Sequence, residues 1–204
     1  MYATAKQIHA GGNELQDRAE CFWCGSNLVL VVADGAGGMS GGAEAAQFIV
    51  EGVKKRIGSV ALNPQGLTEL LISLDREMSA IGAFGESTCV VVVLSESGVM
   101  GTSVGDSGAF IFSKNGLDNL TANQVRKPFV GSGRAMPVSF TRRSLEGTLL
   151  LASDGLLKYT SQEKIAATIL AADLNSAAIK LIELVRYQSG ALPDDVSVLL
   201  GRKT

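Results

Sequence analysis

Two similar segments, LVLVVADG at residues 28–35 and TLLLASDG at residues 148–155, decide which fold this sequence predicts. Each is an apolar run of the kind that forms a buried strand, and each ends in an Asp-Gly pair. A single Asp-Gly after a strand is usually only a turn. Two such strand ends side by side would instead present the carboxylates of Asp34 and Asp154 as a hard-oxygen site suited to magnesium or manganese.

Similar apolar runs predict further strands, and helical periodicity predicts four helices. The predicted strands are residues 27–33, 88–94, 109–112, 147–152 and 195–200. The predicted helices are about residues 42–57, 67–81, 162–172 and 176–187, with Ser161 and Asn175 as N-caps of the last two. Helix pairs separated by blocks of strands predict an α+β fold in which two packed sheets have helices on the outside.

The composition favours one domain that spans residues 1–204. There is no linker-like stretch, and 46% hydrophobic against 19% charged residues is enough apolar material for a core. A net charge of -2, with scattered lysines and arginines, argues against nucleic acid or a membrane surface as the main partner. Without a signal-peptide core or a run of about 18 apolar residues, we expect a cytoplasmic protein.

The cysteines and the single histidine limit the available chemistry. Cys21, Cys24 and Cys89 are an odd and sparse set, which favours reduced thiols. Cys21 and Cys24 have the spacing of a redox pair, but Gly25 follows in an expected turn rather than a helix start, so a thiol redox function is a minor alternative. His9 alone leaves too few parts for a Ser-His-Asp or Cys-His scheme, and we interpret it as a strand or surface residue.

Further acidic residues lie near other predicted strand ends, namely Asp17, Asp106, Asp194 and Asp195. Taken with the two Asp-Gly pairs, their order resembles the type 2C, metal-dependent protein serine/threonine phosphatases, the PPM family. The motifs that carry the resemblance are Gln16-Asp17, Asp34-Gly35-Ala36-Gly37-Gly38, Gly85 to Thr88, Gly105 to Ser107, Ser153 to Gly155 and Asp194 to Val198. Each motif alone is weak, but six in this order run through nearly the whole chain.

The resemblance implies a single catalytic domain with an α-β-β-α four-layer sandwich of two mainly antiparallel sheets, flanked by helix pairs. It also implies a cleft at one end of the sheets that holds two Mn2+ or Mg2+ ions. In that cleft Asp34 bridges both ions, the Gly35 carbonyl binds one, and Asp154 and Asp194 complete the other. Asp17 is implied to act beside the ions through a metal-bound water.

The resemblance implies that the chain hydrolyses phosphoserine and phosphothreonine on proteins. The nucleophile is then a water activated by the two ions, and the catalytic residues are Asp34, Asp154 and Asp194. The implied partner is a phosphorylated protein in signal transduction, where the enzyme opposes a Ser/Thr kinase. Asp106, which a turn explains equally well, is left out of the metal set.

Three departures from the family pattern bear on activity. Gln16 stands where an early glutamate often stands, which predicts weaker binding of the second metal. Ala36 replaces a histidine, so the leaving hydroxyl needs water as its proton donor. Gly12 lies near the expected position of a phosphate-clamping arginine, for which Arg18 is a speculative substitute.

A fourth departure is length. The segment between Asp106 and Asp154 leaves little room for the flap of longer members, so the chain resembles compact bacterial members without one. Asn123 stands where longer members have a further metal-binding aspartate, which argues against a third metal. These departures motivate the alternative prediction of an inactive or weak pseudophosphatase that binds phosphoproteins as a regulator.

Overall fold

The structure is a computed structural model that describes residues 1–36 and 41–204. Within this part of the chain, two five-stranded sheets form, and all neighbouring strands are antiparallel. The first sheet consists, in spatial order, of β1 (Tyr2–His9), β10 (Val196–Lys203), β9 (Thr148–Ala152), β6 (Gly108–Ser113) and β7 (Gly116–Asn119). The second consists of β2 (Arg18–Cys24), β3 (Asn27–Ala33), β4 (Cys89–Ser95), β5 (Gly98–Val104) and β8 (Val138–Arg142).

Helices cover the outer faces of both sheets. The helices are α1 (Gly42–Arg56), a short 3-10 helix (Ile57–Ser59), α2 (Pro64–Ile81), α3 (Asp154–Leu157), α4 (Gln162–Leu170) and α5 (Leu174–Glu183). Helices α1 and α2 pack on the second sheet, whereas α4 and α5 pack on the first. Among the described helices, none has the length and apolar character needed to cross a membrane.

Three apolar layers hold these elements together. Leu30 packs between the two sheets, whereas its neighbour Val31 packs on the helix side with Leu71 of α2. In the other half, Leu150 packs against Leu181 of α5. Successive side chains of a strand point to opposite faces, so a continuous apolar strand can serve two layers at once. The arrangement is an α-β-β-α sandwich, which confirms the predicted fold class.

The predicted elements are largely confirmed, with one wrong cap. Strand β3 has the predicted bounds, and the Ser161 side chain accepts a hydrogen bond from the Lys164 N–H at 3.4 Å, as expected of an N-cap. Asn175 is not a cap. Asp173 accepts a hydrogen bond from the Ser176 N–H at 3.0 Å, so α5 begins before Asn175.

The thiols and the histidine have structural positions. Cys21 contacts the layer between the sheets, whereas Cys24 contacts the layer beneath α1 and α2, and both are free. Because β2 points the two side chains to opposite faces, they cannot form a disulfide while this strand is intact. His9 ends β1 and contacts Gln7 at 3.2 Å, as expected of a strand residue.

Candidate metal centre

A cleft of about 550 Å3 lies at the C-terminal ends of β3 and β9 and at the N-terminal end of β10. The carboxylates that line it are Glu14, Asp34, Asp106, Asp154, Asp194 and Asp195, and the cationic side chains are Arg126, Lys127 and Lys158. Gly12, Gln16, Gly35 and Ala36 also line it. The structure therefore brings residues of all six motifs into one polar cleft with an excess of negative charge.

Asp34 and Asp154 reach this cleft from facing sheets. Asp34 directly follows β3, and its backbone is held by Thr88, whose Oγ1 accepts from the Asp34 N–H at 3.1 Å. The Thr88 N–H and the Ser87 hydroxyl both donate to the Asp34 carbonyl, each at 2.9 Å. Asp154 follows β9 and begins α3. The repeated Asp-Gly motif thus marks two strand ends that share one site.

The glycines of this motif permit close backbone packing. A Cβ atom on Gly35 would lie 2.3 Å from the carbonyl oxygen of Gly42 at the start of α1. A Cβ atom on Gly155 would lie 1.9 Å from the carbonyl oxygen of Asp195. Both glycines are therefore required because neighbouring backbone approaches them. Gly37 and Gly38 of the predicted motif lie outside the described residues.

Asp17 lies beneath the cleft and is fully buried. Neither of its carboxylate oxygens has a hydrogen-bond partner within the described part of the chain. Burial raises the pKa of Asp17 to about 7, helped by the charges of Asp195 and Asp154 and opposed by the nearby hydroxyls of Ser153 and Ser197. A buried carboxylate whose charge two nearby hydroxyls offset only in part is the kind of group that a cation stabilises.

Asp34 has the most strongly shifted pKa of the cluster that lines the cleft. Burial is the largest cause, and together with the charges of four other carboxylates, Asp17, Asp154, Asp106 and Asp194, it raises the pKa of Asp34 to about 9. Partial burial is also the first cause that raises the pKa of Asp194, followed by the charges of Asp154 and Asp195. These shifts record burial first, and mutual repulsion among neighbouring carboxylates second.

Asp194 and Asp195 are adjacent in sequence but differ in role. Asp195 uses both oxygens to hold the loop between β1 and β2, since Oδ1 accepts from the Gly11 N–H at 2.8 Å and Oδ2 from the Gln16 N–H at 2.5 Å. Asp194 accepts from the Asp195 N–H at 2.9 Å and lines the cleft. This difference supports Asp194, rather than Asp195, as the ligand.

The sequence patterns did not identify the cations of the cleft. Lys158 pairs with Asp154 one turn earlier, and Arg126 pairs with Asp106 at 2.7 Å. Lys127 lies over the ring of Phe129, 5.2 Å from its centroid. Asp106, left out of the predicted set, therefore does line the site. A spacing of four residues after Asp154 was the only sequence signal for Lys158.

The suggestion that Arg18 substitutes for the phosphate-clamping arginine is wrong, because Arg18 is directed away from the cleft. Its guanidinium donates to Gln47 at 2.7 Å and to the carbonyls of Leu15 and Asp17, each at 2.8 Å. It lines a separate groove beside α1. Asn123 is exposed and does not line the cleft.

The donor set fits divalent metal ions in its chemistry. Carboxylate and carbonyl oxygens are the ligands that magnesium and manganese prefer, and the orphaned oxygens of Asp17 lie below them. Within residues 1–36 and 41–204, however, no three His, Cys, Asp or Glu side chains converge closely enough to hold an ion. Binding of an ion by these carboxylates would require side chains to turn, including that of Asp154, which pairs with Lys158.

Comparison with known proteins identifies the family. The sequence pattern of the family described as Protein phosphatase 2C matches residues 6–176. The chain belongs to this family, which confirms the predicted class of enzyme, a protein serine/threonine phosphatase. A comparison with curated protein sequences gives no match.

Solved structures agree with the fold. A bacterial serine phosphatase superposes with a TM-score of 0.87 at 19% identity, covering 100% of both chains. Stp1 from Staphylococcus aureus gives 0.84 at 20% identity, covering 100% of this chain and 96% of that one. The catalytic domain of PstP, solved with two manganese ions, gives 0.82 at 19% identity, covering 98% and 97%.

Proposed function

We propose that this chain removes phosphate from phosphoserine and phosphothreonine on proteins, using two Mn2+ or Mg2+ ions held in the cleft. The observation that carries this proposal is the meeting of Asp34 and Asp154, from facing sheets, with Asp194 in one cleft. Membership of the phosphatase 2C family supports the class of reaction. The manganese in the PstP structure supports the choice of cofactor.

Asp34, Asp154, Asp194 and the Gly35 carbonyl would hold the ions, with Asp17 supporting them from below. When bound, the two ions would lower the pKa of the attacking water and offset the charge of the phosphoryl oxygens. The orphaned carboxylate of Asp17 fits this arrangement, because its buried charge gains a compensating partner.

The cationic side chains of the cleft would bind the phosphate. Arg126 and Lys127 lie on the segment between β7 and β8, and Lys158 lies one turn after Asp154. Guanidinium and ammonium groups donate charge-assisted hydrogen bonds to phosphate oxygens. Lys158 would exchange Asp154 for the phosphate as partner. Gly12 has no side chain to contribute, so substrate affinity would depend on these three cations.

Neither Ala36 nor His9 supplies an acid for the leaving group. Ala36 lines the cleft but has no titratable atom, and His9 does not line it. Protonation of the departing serine or threonine oxygen would therefore come from water. An open, strongly polar cleft suits a phosphorylated segment of a protein, and we propose that a Ser/Thr kinase supplies this substrate in cytoplasmic signal transduction.

A phosphopeptide panel tests the proposal. The chain is incubated with phosphoserine, phosphothreonine and phosphotyrosine peptides, with manganese or with chelator, and released phosphate is measured. We expect hydrolysis of the first two, dependent on metal and lost in Asp34→Asn. Hydrolysis that persists with chelator, or in Asp34→Asn, would contradict the proposal. Peptide binding without any hydrolysis by the manganese-loaded protein would favour a pseudophosphatase, the alternative that the family match does not favour.

A further inference from the structure

A buried carboxylate outside the cleft organises the loop that leads into it. Asp75 lies on α2 with 2% of its surface exposed. Its Oδ1 accepts hydrogen bonds from the N–H groups of Gly131 at 2.8 Å and Gly133 at 3.0 Å. Its Oδ2 accepts from the Ala135 N–H at 3.0 Å. We call residues 129–135 the anchored loop.

The loop conformation is specific to this contact. Gly131 and Gly133 have φ values of 106° and 72°, which side-chain-bearing residues rarely adopt. A Cβ atom on Gly131 would lie 2.9 Å from the carbonyl oxygen of Gly85. Among the described residues, no lysine or arginine pairs with Asp75. Its buried charge is therefore stabilised by backbone N–H groups that converge only when the loop takes this path.

The anchored loop is joined directly to the backbone of the metal centre. Val130 and Ser87 exchange two backbone hydrogen bonds, each 3.0 Å long. Ser87 in turn bridges to Gly35 and donates its hydroxyl to the Asp34 carbonyl. The three cleft residues Arg126, Lys127 and Phe129 lie at the start of the loop or just before it. The anchored loop is therefore continuous with the segment that carries Arg126 and Lys127 into the cleft.

We propose that Asp75 is a positioning residue that sets substrate affinity by fixing the anchored loop and the cations before it. This inference rests on the proposed function, because it assigns Arg126 and Lys127 to phosphate binding. Asp75 touches neither the substrate nor the predicted ligands of the metal. Its loss should therefore weaken binding of the phosphate and leave the chemical step nearly unchanged.

The decisive variant is Asp75→Asn, which keeps the size of the side chain but turns an amide NH2 toward one of the three N–H donors. Asp75→Ala, which removes both acceptors, is a second variant with a larger expected effect. The matched control is Asn63→Ala. It removes the N-cap of the same helix, where Asn63 accepts from the Gly66 N–H at 2.8 Å, and leaves the anchored loop untouched.

Two measurements separate positioning from general stability. Limited trypsin digestion reports loop order through cleavage after Arg134, and we expect it to be about fivefold faster in Asp75→Asn, since proteolysis tracks the open population. The KM for a phosphopeptide should rise about three- to tenfold, with kcat changed less than about twofold. Asn63→Ala should lower stability without changing either quantity.

The outcomes distinguish this inference from the proposed function. An active wild type together with unchanged KM and unchanged cleavage in Asp75→Asn would overturn the inference alone. If the wild type hydrolyses no phosphopeptide, the proposed function fails. In that case trypsin digestion still decides whether Asp75 fixes the loop. Calorimetric binding of inorganic phosphate in the presence of manganese decides whether it sets the affinity for an anion. If Asn63→Ala changes the cleavage rate and the KM as much as Asp75→Asn does, Asp75 contributes only to general stability, and the inference is wrong.

Discussion

The Asp195 carboxylate accepts a hydrogen bond from the backbone N–H of Gln16 at 2.5 Å, across the base of the cleft. Its other oxygen binds the Gly11 N–H at 2.8 Å, so the loop between β1 and β2 is tied to the start of β10. The neighbouring Asp194 lines the cleft as well, but its carboxylate accepts only the adjacent Asp195 N–H among the described hydrogen bonds and does not tie down the loop. Two adjacent carboxylates therefore divide the work, one holding backbone and the other available to a metal.

These different roles predict that Asp194→Asn mainly lowers activity, whereas Asp195→Asn mainly lowers stability. Asp194→Asn should lower kcat by more than about 100-fold, the upper end of the loss seen for residues that only orient a metal ligand. Its stability should be unchanged or higher, because one anion leaves a repulsive cluster. Asp195→Asn should instead destabilise the fold by about 1–3 kcal/mol, since a half-buried N–H, that of Gly11 or Gln16, loses its acceptor. Chemical denaturation and an aryl phosphate assay measure both. The reverse pattern would exchange the two roles.

Metal removal should be visible in stability as well as in activity. A ligand that binds only the folded state stabilises it, by about 2.7 kcal/mol at 100 times the dissociation constant. We therefore expect manganese to raise the melting temperature of the wild type, and Asp154→Asn to abolish most of that rise. The control is Asp118→Asn, which removes an equal charge from an exposed pair with Arg142. A similar manganese response in all three proteins would place the ions elsewhere.

The raised pKa values predict an unusual dependence of stability on pH in the metal-free protein. In the folded state Asp34 keeps its proton up to about pH 9 and Asp17 up to about pH 7, whereas both lose it near 3.8 when unfolded. Between these values the folded state binds more protons, so the free energy of unfolding falls as pH rises. The contribution of these protons is complete below the unfolded pKa.

The test compares denaturation of the wild type and Asp34→Asn, both metal-free, at about pH 5 and about pH 8.5. Asp34→Asn should lose less stability over this interval, with a difference of at least about 1 kcal/mol at the higher pH. Saturating manganese should reduce the dependence of the wild-type free energy of unfolding on pH. Parallel curves for the two metal-free proteins would show that Asp34 is not a repelled, buried acid.

Gly12 is a position where the chain can accept a phosphate-binding side chain. A Cβ atom there meets no other atom within 4 Å, and the residue lines the cleft. Gly12→Arg should therefore lower the KM for a phosphopeptide by about three- to tenfold through charge-assisted hydrogen bonds. Gly12→Gln is the neutral control. Gly11 cannot be used in the same way, because its Cβ would lie 2.2 Å from the Asp194 backbone. Equal gains from both Gly12 variants would contradict the electrostatic explanation.

Local patterns predicted the centre of this fold because they act over a few residues. The apolar run before Asp34 fixes both a buried strand and the direction of the carboxylate that follows it, and the same holds for Asp154. Strands β1 and β2 gave no such signal. Their side chains are mostly half-buried, so polar residues such as Lys6 and Glu20 interrupt the apolar pattern.

Features made by distant segments could not be predicted in the same way. Asp75 appears in sequence as an ordinary helix residue, and its three partners lie 56 to 60 positions later in a loop without regular structure. Arg126 likewise lines the cleft although it lies in the irregular segment between β7 and β8. Asn175 was mistaken for a cap because both it and Asp173 have capping side chains, and the backbone conformation of Asp173 decides between them.

The final prediction concerns Gln16, which lines the cleft and whose backbone N–H donates to the Asp195 carboxylate. A glutamine offers at most a neutral oxygen to a metal, whereas a glutamate adds a full charge of the kind that hard cations prefer. Gln16→Glu should lower the manganese concentration for half-maximal activity by about threefold or more, with kcat changed less than about twofold. Asn13→Glu, an exposed change in the same loop outside the cleft, is the charge-matched control. Calorimetric titration with manganese should show tighter binding in Gln16→Glu only. Equal tightening in the control would assign the effect to net charge, and no change in either would remove Gln16 from the metal centre.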